Sequence, residues 1–495
     1  MSKAMRILLV RHPYRFIEGS VANEVELPIG LAHIASALER AGHTVRIYDA
    51  AVRYDVASIN AAWSAGQPVH VGDSWDRFAQ AVAGEWNLVG ISSMFYTQMP
   101  MALEAARVVR RVLPHVPIVM GGPPATVRPQ DYLNEPAVDY VLRGEAERPM
   151  VAFADALARG ESIENLPSLS FRADGRIQNN PLAEYPVDLD VLPMPAYHLL
   201  NLDEQMTGLQ HGPKGWFTEP RRVVPIVTTR GCPFQCTFCS IHLHMGRKWR
   251  RHSVRYVLDH VRHVVTKLDC RNIYFMDDNM GLDPARFEEM LDGLLALKAE
   301  GLGITWRTPT GMRVDRLTRE ILRKARDAGC EAIVLAVESG SQRVLNEVMH
   351  KKLDLQQVIA VSRWCKEVGI KARAGFVIGM PGETLEEMEE TIQFAWMLLR
   401  KYGIRGHPST ATPFYGTELY DVCQEKGYLT EPMTPDNCAR GVQGRSMIRT
   451  PEFTPEDLAR VRERFERQGS WSRYAIRQVG RAVRRAIKGD PHEAE

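Results

Sequence analysis

The sequence predicts an α/β protein made of two successive parallel-sheet units. A Rossmann-like doubly wound sheet comes first, then a partial TIM-type β/α barrel, and a helical tail closes the chain. Three observations predict this. Short β-rich runs alternate with helical periodicity over residues 1–160. That alternation lapses over 161–222 and resumes from 223 to about 416, with the polar tail (417–495) following. No apolar run approaches the roughly 18 residues that suggest a membrane-spanning helix. The 495 residues set an expectation of two or three domains, at about 150 residues each. A composition of 45% hydrophobic and 25% charged residues excludes wholesale disorder.

Within the first unit, RILLV (6–10) reads as a buried strand. The helix after it carries Leu31, Ile34, Ala35 and Leu38 at i, i+3, i+4 and i+7, and Gly42 ends it. TVRIYDA (44–50), LVGISS (88–93), PIVMGG (117–122) and VDYVLRG (138–144) are the further strands, with helices near 100–113 and 146–158. Alternation of this kind implies helices on both faces of a parallel sheet, whose ligands sit beyond the carboxyl ends of the strands. Those ends carry RHPYRF, SSMFYT, GGPPAT and RGEAE.

Residues 161–222 are proline-rich and show no sustained period, which predicts a connector packed on its neighbours. Six further strands are then expected at 223–229, 272–278, 303–308, 332–338, 371–378 and 406–412. Helices near 253–267, 284–299, 316–328, 354–368 and 384–401 separate them. Six βα units in under 200 residues exceed a mononucleotide-binding half and fit a barrel, with its chemistry at the carboxyl ends. Between Trp471 and Lys488 the tail has six basic residues, no acid, and an apolar stripe of Ile476, Val479, Val483 and Ile487. A helix docked on its own domain and an interfacial helix touching anionic lipid both fit that pattern.

Lys and Arg number 62 against 60 Asp and Glu, so no nucleic-acid partner is expected. The amino-terminal stretch is too short in apolar residues for a secretory signal, and the expected location is cytoplasmic. Eight cysteines in this length do not suggest a disulfide scaffold. Three fall within eight positions, Cys232, Cys236 and Cys239, directly after the first barrel strand. Soft thiolates select zinc or an iron–sulfur cluster. Zinc would want a fourth ligand, such as His242 or His244, whereas three thiolates would leave one iron of a cluster open.

The Cys-x3-Cys-x-aromatic-Cys pattern, with Phe238 as the aromatic, resembles the signature of the radical S-adenosylmethionine (SAM) superfamily. That resemblance implies a [4Fe–4S] cluster held by Cys232, Cys236 and Cys239, and SAM bound on the fourth iron and cleaved to a 5′-deoxyadenosyl radical. FMDDNM (275–280) is similar to the second-strand segment, which implies Asp277, Asp278 and Asn279 near the SAM amino group or the substrate. VESGS (337–341) is similar to the fourth-strand motif, implying Glu338, beside Ser339, at the SAM ribose. GFVIGMPGET (375–384) resembles the segment flanking adenine, through Gly375, Ile378 and Gly379. TATPFYGTELY (410–420) resembles the sixth-strand end.

Residues about 5–160 resemble the cobalamin-binding domain fused ahead of many such barrels. The matching loops imply His12, Ser92, Ser93, Phe95, Tyr96, Gly121, Gly122, Pro123, Arg143, Gly144 and Glu145 as cobalamin contacts. The Asp-x-His-x-x-Gly pattern that places a histidine on cobalt is absent, so cobalamin is expected without a protein histidine on the metal.

Together the two halves resemble the cobalamin-dependent radical SAM methylases. In the implied cycle one SAM methylates reduced cobalamin, a second yields the radical that abstracts substrate hydrogen, and methylcobalamin donates the methyl group. Relatives that form rings, oxidise or rearrange without methyl transfer are the alternative, and a non-enzymatic cobalamin sensor a minor one. A tRNA methylthiotransferase would need amino-terminal cysteines for a second cluster, and residues 1–231 have none. The implied partners are a small-molecule substrate, either a natural-product intermediate or a lipid, and an electron donor such as flavodoxin or ferredoxin. Trp306, Arg307, Arg313, Arg373 and Tyr415 are expected near the active strand ends.

Overall fold

A computed structural model of the chain describes residues 4–16, 27–53, 59, 61–62, 64–204, 222–442 and 444–467. The strands of the first half are β1 (Arg6–Arg11), β2 (Tyr14–Phe16), β3 (Thr44–Asp49), β4 (Val69–Val71), β5 (Leu88–Ser92), β6 (Ile118–Gly121), β7 (Tyr140–Leu142), β8 (Leu169–Ala173) and β9 (Arg176–Asn179). Seven of them form one sheet in the order β3-β1-β5-β6-β7-β8-β9. The first five are parallel, and β8 and β9 join antiparallel. Strand β1 shows why the sheet is covered twice. Its side chains alternate between two cores, Ile7 and Leu9 entering one and Leu8 and Val10 the other. The helices Ile29–Arg40 and Glu147–Arg159 pack together, as do Trp75–Val82 and Met99–Val112.

The hairpin β8–β9 lies inside the stretch expected to be an irregular connector. Its signal is local: Asp174 and Gly175 have φ of 49° and 74°, a left-handed pair joining Ala173 to Arg176. Asp-Gly is the favoured sequence for such a two-residue turn. Period-2 patterning in these short strands is too weak to announce them without it.

The second half holds β10 (Val224–Ile226), β11 (Thr229–Arg230), β12 (Arg250–Arg251), β13 (Asn272–Phe275), β14 (Thr305–Met312), β15 (Cys330–Glu338), β16 (Lys371–Ile378) and β17 (Arg405–Thr410). Six of these make a parallel sheet in the order β10-β13-β14-β15-β16-β17, a partial barrel whose end strands do not pair among the described residues. Five helices cross between its strands: Val254–Lys267, Pro284–Ala299, Arg319–Asp327, Leu355–Val368 and Leu385–Tyr402. Each starts on a side-chain cap, from Ser253, Asp283, Thr318, Asp354 and Thr384. A cap of this kind contributes about 1 kcal/mol, and these caps fix where each strand-end loop stops.

Beyond β17 the chain forms the helices Glu418–Glu425 and Pro435–Val442 and a helix over 455–467. Phe465 sits against Phe376 of β16 with ring centroids 5.5 Å apart, so this region is packed on the barrel. The basic stretch from Trp471 to Lys488 lies outside the described residues. No helix among the described residues is long and apolar enough to cross a membrane.

Three residues expected at the active strand ends lie at the opposite edge. Because β14 begins at Thr305 and runs to Met312, Trp306 and Arg307 stand at its amino end. Trp306 is a core residue, 1% exposed, with its indole N–H donating to Ala328 O at 3.0 Å. Arg307 pairs with Glu331 at 2.8 Å, and Arg373 lies in the amino half of β16 beside Arg405. An apparent strand limit at 308 hid this, since Pro309 and Gly311 interrupt the pattern while the strand continues through a bulge.

Candidate active site

The cysteine loop is anchored from several directions. Asp277, just after β13, is 2% exposed. Its Oδ1 accepts from Thr228 N at 2.8 Å, from Thr229 N, and from Thr229 Oγ1 at 2.8 Å. Asp278 Oδ2 accepts from Gly231 N at 2.7 Å, and burial pushes its carboxyl up to about 6. These two carboxylates therefore shape the approach to Cys232. Asn279 follows, its carbonyl accepting from Trp249 Nε1 at 3.0 Å and its buried Nδ2 lacking a protein partner. On the far side of the loop, Thr237 N and Oγ1 donate to Met349 O at 3.2 Å and Val348 O at 3.1 Å. The Arg313 guanidinium lies 3.7 Å from the Phe234 ring centroid, held by Asp315 at 3.0 Å and Lys351 O at 3.0 Å. Phe238 packs on the barrel core.

Cys232, Cys236 and Cys239 are free and partly exposed, whereas the other five cysteines are buried. Cys239 N donates to Cys236 O at 3.1 Å, closing a turn between the second and third cysteines. Burial pushes the Cys239 thiol up to about 11, and Cys236 and Cys232 add to the rise. Among the described residues no three His, Cys, Asp or Glu side chains are grouped as for a single metal ion. Three accessible soft donors on one loop fit three irons of a [4Fe–4S] cluster.

Glu338 ends β15 beside a register shift and has φ of 76°. Its Oε1 accepts from Lys351 Nζ at 2.8 Å, an ion pair that is mostly buried. Lys351 itself stands between His350 and Lys352, with φ of 53° and 52°. Non-glycine residues held in the left-handed region cost of order 1–3 kcal/mol each and persist where surrounding structure dictates them. Three around one ion pair mark a deliberately placed cation and carboxylate. Ser339 is fully buried, with its Oγ 3.1 Å from Thr391 Oγ1. At the end of β16, past Ile378, Gly379 N donates to Glu383 Oε2 at 2.7 Å, while a Cβ on Gly375 would meet nothing within 4 Å.

The first sheet presents its own carboxyl edge. His12 is 1% exposed, its Nδ1 2.6 Å from Pro13 O, and burial lowers its pKa to about 4, so the ring stays neutral. Ser93, after Ser92 at the end of β5, is buried with its Oγ 2.8 Å from Tyr132 OH. Met94 and Phe95 beside it are 47% and 53% exposed, large apolar side chains left uncovered at the strand end. Gly121 and Gly122 lead into the short helix that Pro123 begins. A Cβ on Gly122, at φ of 116°, would lie 2.0 Å from Ser93 O. On Gly144, a Cβ would lie 2.5 Å from Tyr185 OH. Glycine-only backbone beneath an exposed apolar shelf fits a large planar ligand. We expect Gly122→Ala to cost about 3 kcal/mol or more and to abolish cobalamin binding, read by urea unfolding and by absorbance of the bound corrin. Gly375→Ala, with open space around it, should leave the unfolding midpoint unchanged.

Three residues expected on cobalamin make contacts within the protein. Glu145 receives Arg230 Nη1 at 3.0 Å and Arg250 through both terminal nitrogens. Tyr96 donates its OH to Met433 O at 3.2 Å and sets its ring 5.5 Å from that of Tyr415. Arg143 reaches Asn180 O, and its buried Nε has no protein partner. Sequence reasoning passed over Arg230, Arg250, Glu147 and Lys351. Arg230 Nη2 donates to Glu147 Oε1 at 2.6 Å, and all four side chains of this Glu145–Glu147–Arg230–Arg250 network are at most 8% exposed. Glu145 and Glu147 follow β7 while Arg230 lies in β11, so the network ties the carboxyl edge of one sheet to the cysteine loop of the other.

Residues 226–395 match the radical SAM superfamily and residues 19–154 the B12 binding domain. PH0819 of Pyrococcus horikoshii, described as an uncharacterized methyltransferase, is 31% identical over 425 residues, 85% of this chain and 83% of that protein. The cytidylyl-2-hydroxyethylphosphonate methyltransferase of Streptomyces wedmorensis is 27% identical over 477 residues, 89% of this chain and 85% of its own. The solved structure of the radical SAM methyltransferase TsrM from Kitasatospora setae shares the fold, with a TM-score of 0.70 at 16% identity, covering 92% of this chain and 89% of that one. Cysteine loop, B12-type sheet and similarity over most of both chains agree: the chain belongs to the cobalamin-binding radical SAM enzymes of the methyltransferase type.

Proposed function

We propose that this enzyme transfers a methyl group to a carbon of a small-molecule substrate held between its two sheets. The observation that carries the reading is the buried Glu145–Glu147–Arg230–Arg250 network, which ties the carboxyl edge of the first sheet to the strand that leads into the cysteine loop. When bound, the cluster and SAM supply a 5′-deoxyadenosyl radical and cobalamin supplies the methyl group. Cys232, Cys236 and Cys239 hold the cluster, and Asp277 and Asp278 fix the loop that presents them. Glu338 accepts the SAM ribose hydroxyls, with Lys351 holding its carboxylate in place. Ser339, Gly375, Ile378 and Gly379 form the walls of the nucleoside site, and Asn279 offers its unpartnered amide nearby. Gly121, Gly122, Pro123, Ser92, Ser93 and Gly144 would hold the corrin, with the exposed Phe95 ring and the buried, neutral His12 at the same strand ends.

Glu338→Gln should raise the KM for SAM about 10- to 100-fold, because hydrogen bonds to a charged acceptor contribute about 1.5–3 kcal/mol. The measurement is 5′-deoxyadenosine formation against SAM concentration.

The overall test uses protein reconstituted without oxygen, given reductant, SAM and candidate substrates. S-adenosylhomocysteine together with 5′-deoxyadenosine, and one methyl gained per substrate, supports methyl transfer. Deoxyadenosine alone, with substrate consumed and no methyl gained, replaces it with ring-forming or oxidative chemistry. Neither product, with cobalamin still bound, points to a sensor.

A further inference from the structure

From Val223 to Leu258 the chain contains no Asp or Glu and six Lys or Arg. Two of the six, Arg230 and Arg250, face inward onto Glu145 and Glu147. Arg255 reaches toward Asp259 at 3.8 Å. The remaining three, Arg247, Lys248 and Arg251, are exposed, and among the described residues none of them is ion-paired.

These three lie against the cysteine loop. Arg247 Nη1 donates to Phe234 O at 3.2 Å. A Cβ on Gly231 would come within 2.3 Å of Lys248 O, so the two backbones are in contact. The Arg251 guanidinium lies 5.3 Å from the Trp249 ring centroid, and Trp249 is itself bonded to Asn279. The loop also surfaces here, since Pro233 and Gln235, between the first two cysteines, are exposed.

Adjacent like charges without ion-pair partners repel one another. They do create a local positive field that steers an acidic partner and orients it. We propose that this surface, built on Arg247, Lys248 and Arg251 over the exposed edge of the cysteine loop, is the docking site of an acidic one-electron carrier protein. The inference rests on the cluster assignment above. That chemistry requires one electron per cluster from outside the chain, and electron transfer weakens steeply with distance. A carrier seated here stands over the residues that join two cluster ligands. With a flavoprotein carrier, the anionic hydroquinone gives up one electron to become the neutral semiquinone, and the cluster falls from the 2+ to the 1+ state. No bond is made or broken and no proton moves.

The experiment uses the full chain, reconstituted without oxygen, and follows cluster bleaching by stopped flow. The probes are a chemically reduced flavodoxin of net negative charge and, separately, dithionite. In the triple variant R247E/K248E/R251E the rate with flavodoxin should fall at least about tenfold at low salt, and the dithionite rate should not change. The wild-type flavodoxin rate should drop as salt rises, through screening, and the variant's should not. The double variant R319E/R323E, on the outer helix Arg319–Asp327, should behave as wild type. Equal flavodoxin rates in triple variant and wild type overturn the proposal. So does an equal fall with dithionite, which would show an altered cluster, or a triple variant that loses only binding to anionic lipid vesicles. Wild-type protein that holds no reducible cluster instead overturns the cluster assignment.

Discussion

Cys236→Ala is expected to remove bound iron from the barrel and reduce 5′-deoxyadenosine formation to the level seen without enzyme, while cobalamin binding persists. The middle cysteine of the loop has neighbours on both sides, and its main chain carbonyl is the acceptor that draws Cys239 back. Removing its thiol leaves two donors where three irons need one each, and no other cysteine replaces it, because the remaining five are buried. The corrin contacts proposed above come from a different sheet and share no residue with the loop. The measurements are iron and sulfide per chain, the electron paramagnetic resonance signal of the reduced protein, product chromatography, and corrin absorbance. Deoxyadenosine formed at the wild-type rate would refute the cluster assignment.

Arg230→Met should be the most destabilising single change in the domain contact, at about 3–5 kcal/mol, because it leaves Glu147 buried without its cation. The urea midpoint reports it. Adding Glu147→Leu should recover most of the loss, since replacing both members of a buried pair by apolar residues is close to neutral. The same pair sets an acid limit. Burial alone would raise the Glu147 carboxyl, but the adjacent Arg230 overrides burial and holds it down at about 2, against 4.5 for a free glutamate. A carboxyl depressed in the folded state stabilises it fully above its unfolded value. That contribution then disappears as pH falls from about 4.5 toward 2. In the Arg230→Met/Glu147→Leu protein this part of the acid dependence should be missing.

Much of the architecture is legible from local pattern because each strand carries its own burial code. β16 was expected at 371–378 and runs from Lys371 to Ile378, with Ala374, Phe376 and Ile378 buried on alternate positions. Where local pattern is interrupted, legibility fails. Pro309 and Gly311 conceal the second half of β14, and that error carried Trp306 and Arg307 to the wrong edge of the barrel. The three cysteines are visible because their spacing is itself chemistry. Lys351 is not, because its partnership with Glu338 depends on two left-handed residues and a turn that no one-dimensional pattern records. Arg230 and Glu145 are 85 positions apart. Only the docking of the two sheets shows that one answers the other.

The apolar interior has a consequence for how such a chain can be divided and inherited. One continuous core takes in Leu31, Phe153 and Phe171 from the first half, Tyr197 and Leu200 from the segment between, and Val224, Phe376 and Phe465 from the second. A cut anywhere along that run would leave each fragment with a bare greasy face that its severed neighbour had covered. The two halves are thus partners in the manner of subunits that have lost the freedom to separate. Recombination that exchanged one half alone would have to bring along a matching face and both of its arginines.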